Sequence, residues 1–226
     1  MLTVNAASGF GSGGSSPDMT LNFEASGASW SAVAAHTLSS IAIGSADALR
    51  TVVLNIGCMG GPQRTVSSVT LDGNSMTEAA YIYGTGGWPV AIYYLAWPTG
   101  TTADFVVTWS GATGLGCSYE VYKVTNLGSV NDTGGESSSN PNPFTDTVNV
   151  VAGGCTVATC LNNDGPTVGT CTWTNLSEDH DTAIATYYAY SSASSTHSSD
   201  SALAVTADWT GSPDTGGLVI ASFAKG

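Results

Sequence analysis

The sequence predicts an all-β fold, an antiparallel β-sandwich of jelly-roll type with about 12–14 strands and almost no helix. Three observations predict it. Apolar residues recur at every second position: Phe105, Val107 and Trp109 against Asp104 and Thr108, Val52, Leu54 and Ile56 against Thr51 and Asn55, Val205, Ala207 and Trp209 against Thr206 and Asp208. That period belongs to strands with one buried face, not to helices. Gly, Asn, Asp and Pro separate the runs, which is turn chemistry. The only helix-compatible stretch is Ser45-Ala46-Asp47-Ala48, long enough for one short turn.

Taken in chain order, residues 1–18 end in Gly9-Phe10-Gly11-Ser12-Gly13-Gly14-Ser15-Ser16-Pro17-Asp18 and have flexible-linker composition. They form an N-terminal arm, either frayed or ordered against a neighbouring subunit. Strands are expected over 20–24, 36–43, 49–56, 67–72, 90–97, 103–109 and 118–124, then over 144–151, 155–161, 170–174, 182–190, 202–209 and 218–223. Asp72-Gly73 between Val69-Thr70-Leu71 and Asn74-Ser75 is a hairpin signal, since both residues tolerate the positive φ of a tight turn. Asn162-Asn163-Asp164-Gly165-Pro166 is a second turn. The run 91–97 is apolar on both faces, so it is expected to be central or covered by a loop or partner.

Two stretches echo each other. Ile92-Tyr93-Tyr94 followed by Phe105-Val106-Val107-Thr108-Trp109-Ser110-Gly111 recurs as Thr186-Tyr187-Tyr188 followed by Val205-Thr206-Ala207-Asp208-Trp209-Thr210-Gly211. The echo is too loose and too infrequent for a solenoid. It predicts one sandwich domain over 19–226, made of similar halves 19–126 and 144–226 joined by a Gly/Ser/Asn-rich crossing loop, 127–143.

Composition narrows the partners. Only 9% of residues are charged, and four Lys and Arg face 17 Asp and Glu for a net charge of −13. Neutralising phosphates requires clustered cations, so no nucleic acid is expected as partner, and the same argument weighs against anionic membranes. The opening Met1-Leu2-Thr3-Val4-Asn5 lacks the basic start and apolar core of a secretory signal, so synthesis in a cytoplasm is expected. Cys58, Cys117, Cys155, Cys160 and Cys171 contain no CxxC pair, and their odd number fits buried, reduced thiols.

Motifs for chemistry are sparse, and no cofactor is expected. Glu178-Asp179-His180-Asp181 is the densest polar cluster. Consecutive strand residues point to opposite faces, so it reads as a solvated turn rather than a cation site. His36 and His197 lack a metalloprotease spacing, and Gly84-Thr85-Gly86-Gly87 and Gly111-Ala112-Thr113-Gly114 read as loop tips. Trp109, Trp173 and Trp209 sit at core positions. Trp88 and Trp97, each before a proline at a strand end, with Tyr83 and Tyr190 nearby, are the candidates for interface or glycan contact. Their alternative role is to plug the ends of the sandwich.

The order Ala46-Asp47-Ala48-Leu49-Arg50-Thr51-Val52-Val53-Leu54, Val66-Ser67-Ser68-Val69-Thr70-Leu71-Asp72-Gly73, Ile92-Tyr93-Tyr94-Leu95-Ala96-Trp97-Pro98-Thr99-Gly100 and Phe105 to Gly111 resembles β-sandwich proteins of tailed-bacteriophage virions. The second half, through 203–211 and 218–223, fits the same pattern. The resemblance implies a non-enzymatic virion component without catalytic residues: a capsid decoration protein, or alternatively a tail or fibre-associated attachment protein. A carbohydrate-binding module recognising host surface glycans is a further alternative. Implied partners are the major capsid protein and copies of the chain itself, with a trimer among the possible states.

Overall fold

A computed structural model describes residues 17–59, 64–84, 88–111, 116–139, 142–163, 169–185, 188–211 and 215–226. Most of the N-terminal arm, Thr186-Tyr187, Asp164-Gly165-Pro166 and the tips 85–87 and 112–114 lie outside them.

In the first half the strands are β1 (Thr20–Ser29), β2 (Ala35–Ala42), β3 (Arg50–Met59), β4 (Thr65–Leu71), β5 (Asn74–Ser75), β6 (Thr77–Gly84), β7 (Trp88–Ala96), β8 (Thr102–Ser110) and β9 (Gly116–Thr125). In the second they are β10 (Leu127–Ser139), β11 (Phe144–Val150), β12 (Cys155–Asn163), β13 (Cys171–Thr174), β14 (Ser177–Ala185), β15 (Tyr188–Thr196), β16 (Ser201–Trp209) and β17 (Thr215–Lys225). All pairings are antiparallel, and they are nested: β1 with β9, β2 with β8, β3 with β7, then β10 with β17, β11 with β16, β12 with β15. A nested hairpin whose successive rungs fall alternately in two sheets is the jelly-roll wrap. The expected all-β jelly-roll fold is present, and it is wound twice.

Each half closes its own pair of sheets. The first half has β1-β9-β3-β7-β6 facing β2-β8-β4-β5, and the second has β10-β17-β12-β15-β14 facing β11-β16-β13. The two five-stranded sheets stack on each other, so the expected sandwich of two halves becomes four layers with three apolar fillings. Leu54, Ile56, Phe105, Val107 and Trp109 fill the first roll, and Phe144, Cys160, Val205, Trp209 and Ile220 fill the second. Val53, Val90, Ile92, Tyr122, Val157, Val219 and Phe223 fill the seam between the rolls. This is why 91–97 reads as apolar on both faces: Ala91 and Tyr93 of β7 enter the first roll, while Val90 and Ile92 enter the seam.

The described residues form 17 strands rather than the expected 12–14, and the additions have physical causes. In β6 a bulge between Glu78 and Ala80 breaks the alternation. The expected strand 182–190 is two strands, β14 and β15, and β15 escaped notice because its buried positions are serines. Ser191 and Ser192 are fully buried; the Ser191 hydroxyl accepts from Trp173 Nε1 at 2.8 Å and donates to the His180 carbonyl at 3.0 Å. Tyr188, not Ile92's counterpart, opens β15 as Trp88 opens β7. The apparent match of Ile92-Tyr93-Tyr94 with Thr186-Tyr187-Tyr188 is therefore out of register, whereas that of Trp109 with Trp209 holds. Residues 45–48 form no helix; Asp47 Oδ1 instead accepts the Leu49 amide at 2.8 Å in a turn. The Asp72-Gly73 hairpin is as expected, with φ of 45° and 78°.

The crossing loop 127–143 is corrected most: residues 127–139 are the edge strand β10. Its glycines permit close approach, since a Cβ on Gly135 would lie 2.5 Å from the Leu218 carbonyl oxygen and 2.6 Å from Ile82. Its acids satisfy the neighbouring sheet's edge. Asp132 accepts the Asn149 amide at 2.7 Å and Glu136 the Thr145 amide at 2.6 Å, while Asp146 of β11 accepts the Gly135 amide at 2.6 Å. Carboxylates thus replace ladder hydrogen bonds between two sheet edges, and a segment that reads as loop by composition serves as a strand.

Candidate functional site

Two clusters of chemistry-bearing side chains stand out, one at the rim of the seam and one inside it. The rim cluster is aromatic. Trp88 starts β7 and lies half-buried, its Nε1 donating to Thr215 Oγ1 at 3.1 Å across the seam. Tyr188, at the matching position of the other roll, packs its ring 5.2 Å from that of Trp88 and 6.4 Å from Trp30. Trp30, just beyond β1, is 45% exposed, and Tyr83, paired with Pro89 on the neighbouring strand, is 40% exposed. Three rings from both rolls thus gather at one end of the molecule, and Tyr83 stands at the same end of β6 on the other face of its sheet.

Of the four residues singled out in the sequence, only Trp88 and Tyr83 lie at this end. Trp97 follows the opposite end of β7 and packs against the core of the first roll, its amide donating to the Arg50 carbonyl at 3.0 Å. Tyr190 is fully buried in the seam, so no ligand from solvent reaches it. Strand alternation explains the difference: Tyr188 and Tyr190 share a face, but Tyr190 lies one step deeper along it. Trp30 and Tyr188 were missed because neither adjoins a strand end legible in the sequence.

The second cluster is polar and internal. On β9, Cys117 and Val121 enter the first roll, so Ser118, Glu120 and Tyr122 face the seam. Glu120 has no solvent exposure, and its Oε1 lies 3.4 Å from His180 Nδ1 on β14 of the other roll. Tyr122 donates from its hydroxyl to Asp179 Oδ2 at 3.1 Å. Two consecutive residues, Asp179 and His180, therefore reach the same seam. The alternation that argued against convergence is broken by a bulge between Glu178 and His180. Phe23 on β1 covers the cluster, its ring stacked 6.3 Å from the imidazole of His180 and edge-on to Tyr122 at 5.7 Å. Tyr190 closes the far side over Gly57, where a Cβ would lie 2.2 Å from its ring.

Burial pushes the Glu120 carboxyl up to about 7, against the pull of His180 and Tyr190 that favour its charge. The carboxylate in turn raises the His180 imidazole, the larger effect there, and burial raises Asp179. A buried acid beside a partly exposed imidazole can share one proton, with His180 as the path to solvent. Among the described residues no three His, Cys, Asp or Glu side chains gather in a way that could hold a metal ion. Glu178 and Asp181 diverge from the seam pair; Asp181 accepts the Cys171 amide at 2.9 Å inside the second roll.

No family model matches the chain, and no curated protein matches its sequence.

Proposed function

We propose that the chain is a non-enzymatic structural protein of a tailed-bacteriophage particle, a decoration protein on the head exterior. The observation that carries this reading is the double jelly roll with a filled seam between its rolls. Such a body is stiff along its full depth, and a particle protein must hold its shape while contacting neighbours. The sequence resemblance supports the same reading. So does the charge: −13 overall keeps the protein from packaged DNA and suits a partner with a basic face, such as a major capsid protein. Mass spectrometry of purified particles is expected to find the chain at a fixed high copy number, and its absence from particles would overturn the proposal.

A second reading, host attachment through glycans, is favoured by the rim of Trp30, Trp88 and Tyr188. Indole faces stack on the apolar faces of sugar rings, and Trp30 is exposed enough to offer one. Trp30→Ala is expected to weaken binding to a responsive glycan by about tenfold or more, a loss of about 1.4 kcal/mol. A glycan array on which the unaltered protein binds nothing removes this reading.

A further inference from the structure

We propose that Cys58 and Cys117 are a latent cross-strand disulfide, closed by exchange with a low-molecular-weight disulfide such as oxidised glutathione. This goes beyond the function proposed above and does not depend on it. The two cysteines lie 59 positions apart in the chain, yet the β3–β9 register sets them directly opposite each other, one rung from the end of the ladder at Met59 and Gly116. Both side chains enter the first roll, and their sulfurs are already in contact at 3.5 Å. A disulfide requires about 2.05 Å between sulfurs and Cβ atoms about 3.5–4.5 Å apart, slightly closer than an ordinary cross-strand pair, so a rotation at each Cβ and a small approach complete it. The end of a ladder is where such an approach meets least resistance.

The other three cysteines are placed differently. Trp209 Nε1 donates to Cys160 Sγ at 3.3 Å, Cys171 packs in the core of the second roll, and Cys155 faces the seam. In the exchange, the thiolate of one cysteine attacks a glutathione sulfur and expels one glutathione thiolate. The second cysteine thiolate then attacks the protein sulfur of that mixed disulfide and expels the other. Two electrons pass from the cysteine pair to oxidised glutathione, which leaves as two reduced molecules carrying the two thiol protons. Burial holds the Cys58 thiol above its ordinary value, so the folded protein reacts slowly and the bond closes most readily as the strands assemble.

The test is refolding of the full chain in a glutathione redox buffer, followed by alkylation, peptide mapping and thermal melting. Refolded protein is expected to carry two fewer alkylatable thiols than the five of the reduced chain, with the link mapped between Cys58 and Cys117. Its melting transition is expected to rise by about 8–17 °C over the reduced form, as closure of a loop of this length predicts. Cys58→Ser and Cys117→Ser are each expected to keep all remaining thiols and lose the rise. Five alkylatable thiols after refolding, or a link mapped to any other pair, would overturn the proposal.

Discussion

Arg50→Met is expected to destabilise the fold by about 4 kcal/mol, and Arg50→Lys by roughly half as much. Arg50 opens β3 and is only 1% exposed, an unusual place for a guanidinium. Its Nε donates to the Trp97 carbonyl at 2.6 Å, and its Nη1 to the carbonyls of Gly44, Gly100 and Ile43 at 2.8, 3.0 and 3.3 Å. Its Nη2 donates to the Thr99 carbonyl. One side chain thus satisfies five carbonyls from the β2–β3 and β7–β8 connections, reinforcing the backbone bonds from the Ile43 amide to the Thr101 carbonyl at 3.0 Å and from the Asp47 amide to the Pro98 carbonyl at 3.1 Å. Methionine fills comparable volume but leaves those acceptors buried and unpaired, each worth about 1–3 kcal/mol before relaxation. Lysine keeps the charge but concentrates its donors at one point and cannot reproduce the fork. Urea unfolding followed by tryptophan fluorescence measures both losses; a methionine variant within about 1 kcal/mol of the unaltered protein would show that the carbonyls find water instead.

Arg50 also illustrates what was legible in the sequence. As one of four scattered cations it looked like part of an absent basic patch, because composition records a charge without saying what surrounds it. Strand existence was legible wherever alternation was intact, as in Phe105, Val107 and Trp109, since side-chain period follows directly from backbone geometry. It was lost where bulges shift the period, at Ala79-Ala80 and at Asp179-His180, and where the burying residues are Ser and Gly, as in β15 and β10. The similarity of the halves was visible, but the seam was not. Val53 and Val90 betray a second buried face only once the strand beside each is known. The candidate site was legible in part: Trp88 stands at the rim and Tyr83 at the same end, whereas Trp30 and Tyr188 reach the rim through contacts between rolls that no local pattern encodes. Glu120 carried no signal at all, being one acid among 17 in the sequence.

Glu120→Gln is expected to leave stability at pH 4 nearly unchanged and to raise it at pH 8 by about 3 kcal/mol. The sign follows from the direction of each shift. Burial lifts the folded carboxyl from 4.5 to about 7. Below the lower value both folded and unfolded chains hold the proton and the fold loses nothing. Between the two values the unfolded chain ionises while the folded one does not, so stability drains away as the pH rises. Above 7 the folded carboxyl ionises too and the loss is complete. His180, raised by that same carboxylate, contributes stability below its unfolded value that is lost as pH climbs past its folded one, which adds in the same direction. Glu178, Asp179 and Asp181, also raised by burial, add to it as well. His36 and His197, lowered by burial, oppose it on the acid side, and Asp132, lowered by the Asn149 and Thr133 amides, acts below the window. His36, His197 and Asp132 do not act on the Glu120–His180 pair and cancel in the comparison, whereas Asp179, which raises Glu120, and Asp181 and Glu178, which raise His180, respond to the substitution with it. Glutamine keeps the shape and a hydrogen-bonding oxygen but has no proton to lose, and it frees His180 from its partner. Urea midpoints for both proteins at pH 4, 5, 6, 7 and 8 should nearly coincide at pH 4, separate mainly between pH 5 and 7, and change little beyond. Curves that stay parallel throughout would mean that the seam reorganises to hydrate Glu120, and the proton shared between the rolls would then have no bearing on how firmly they hold together.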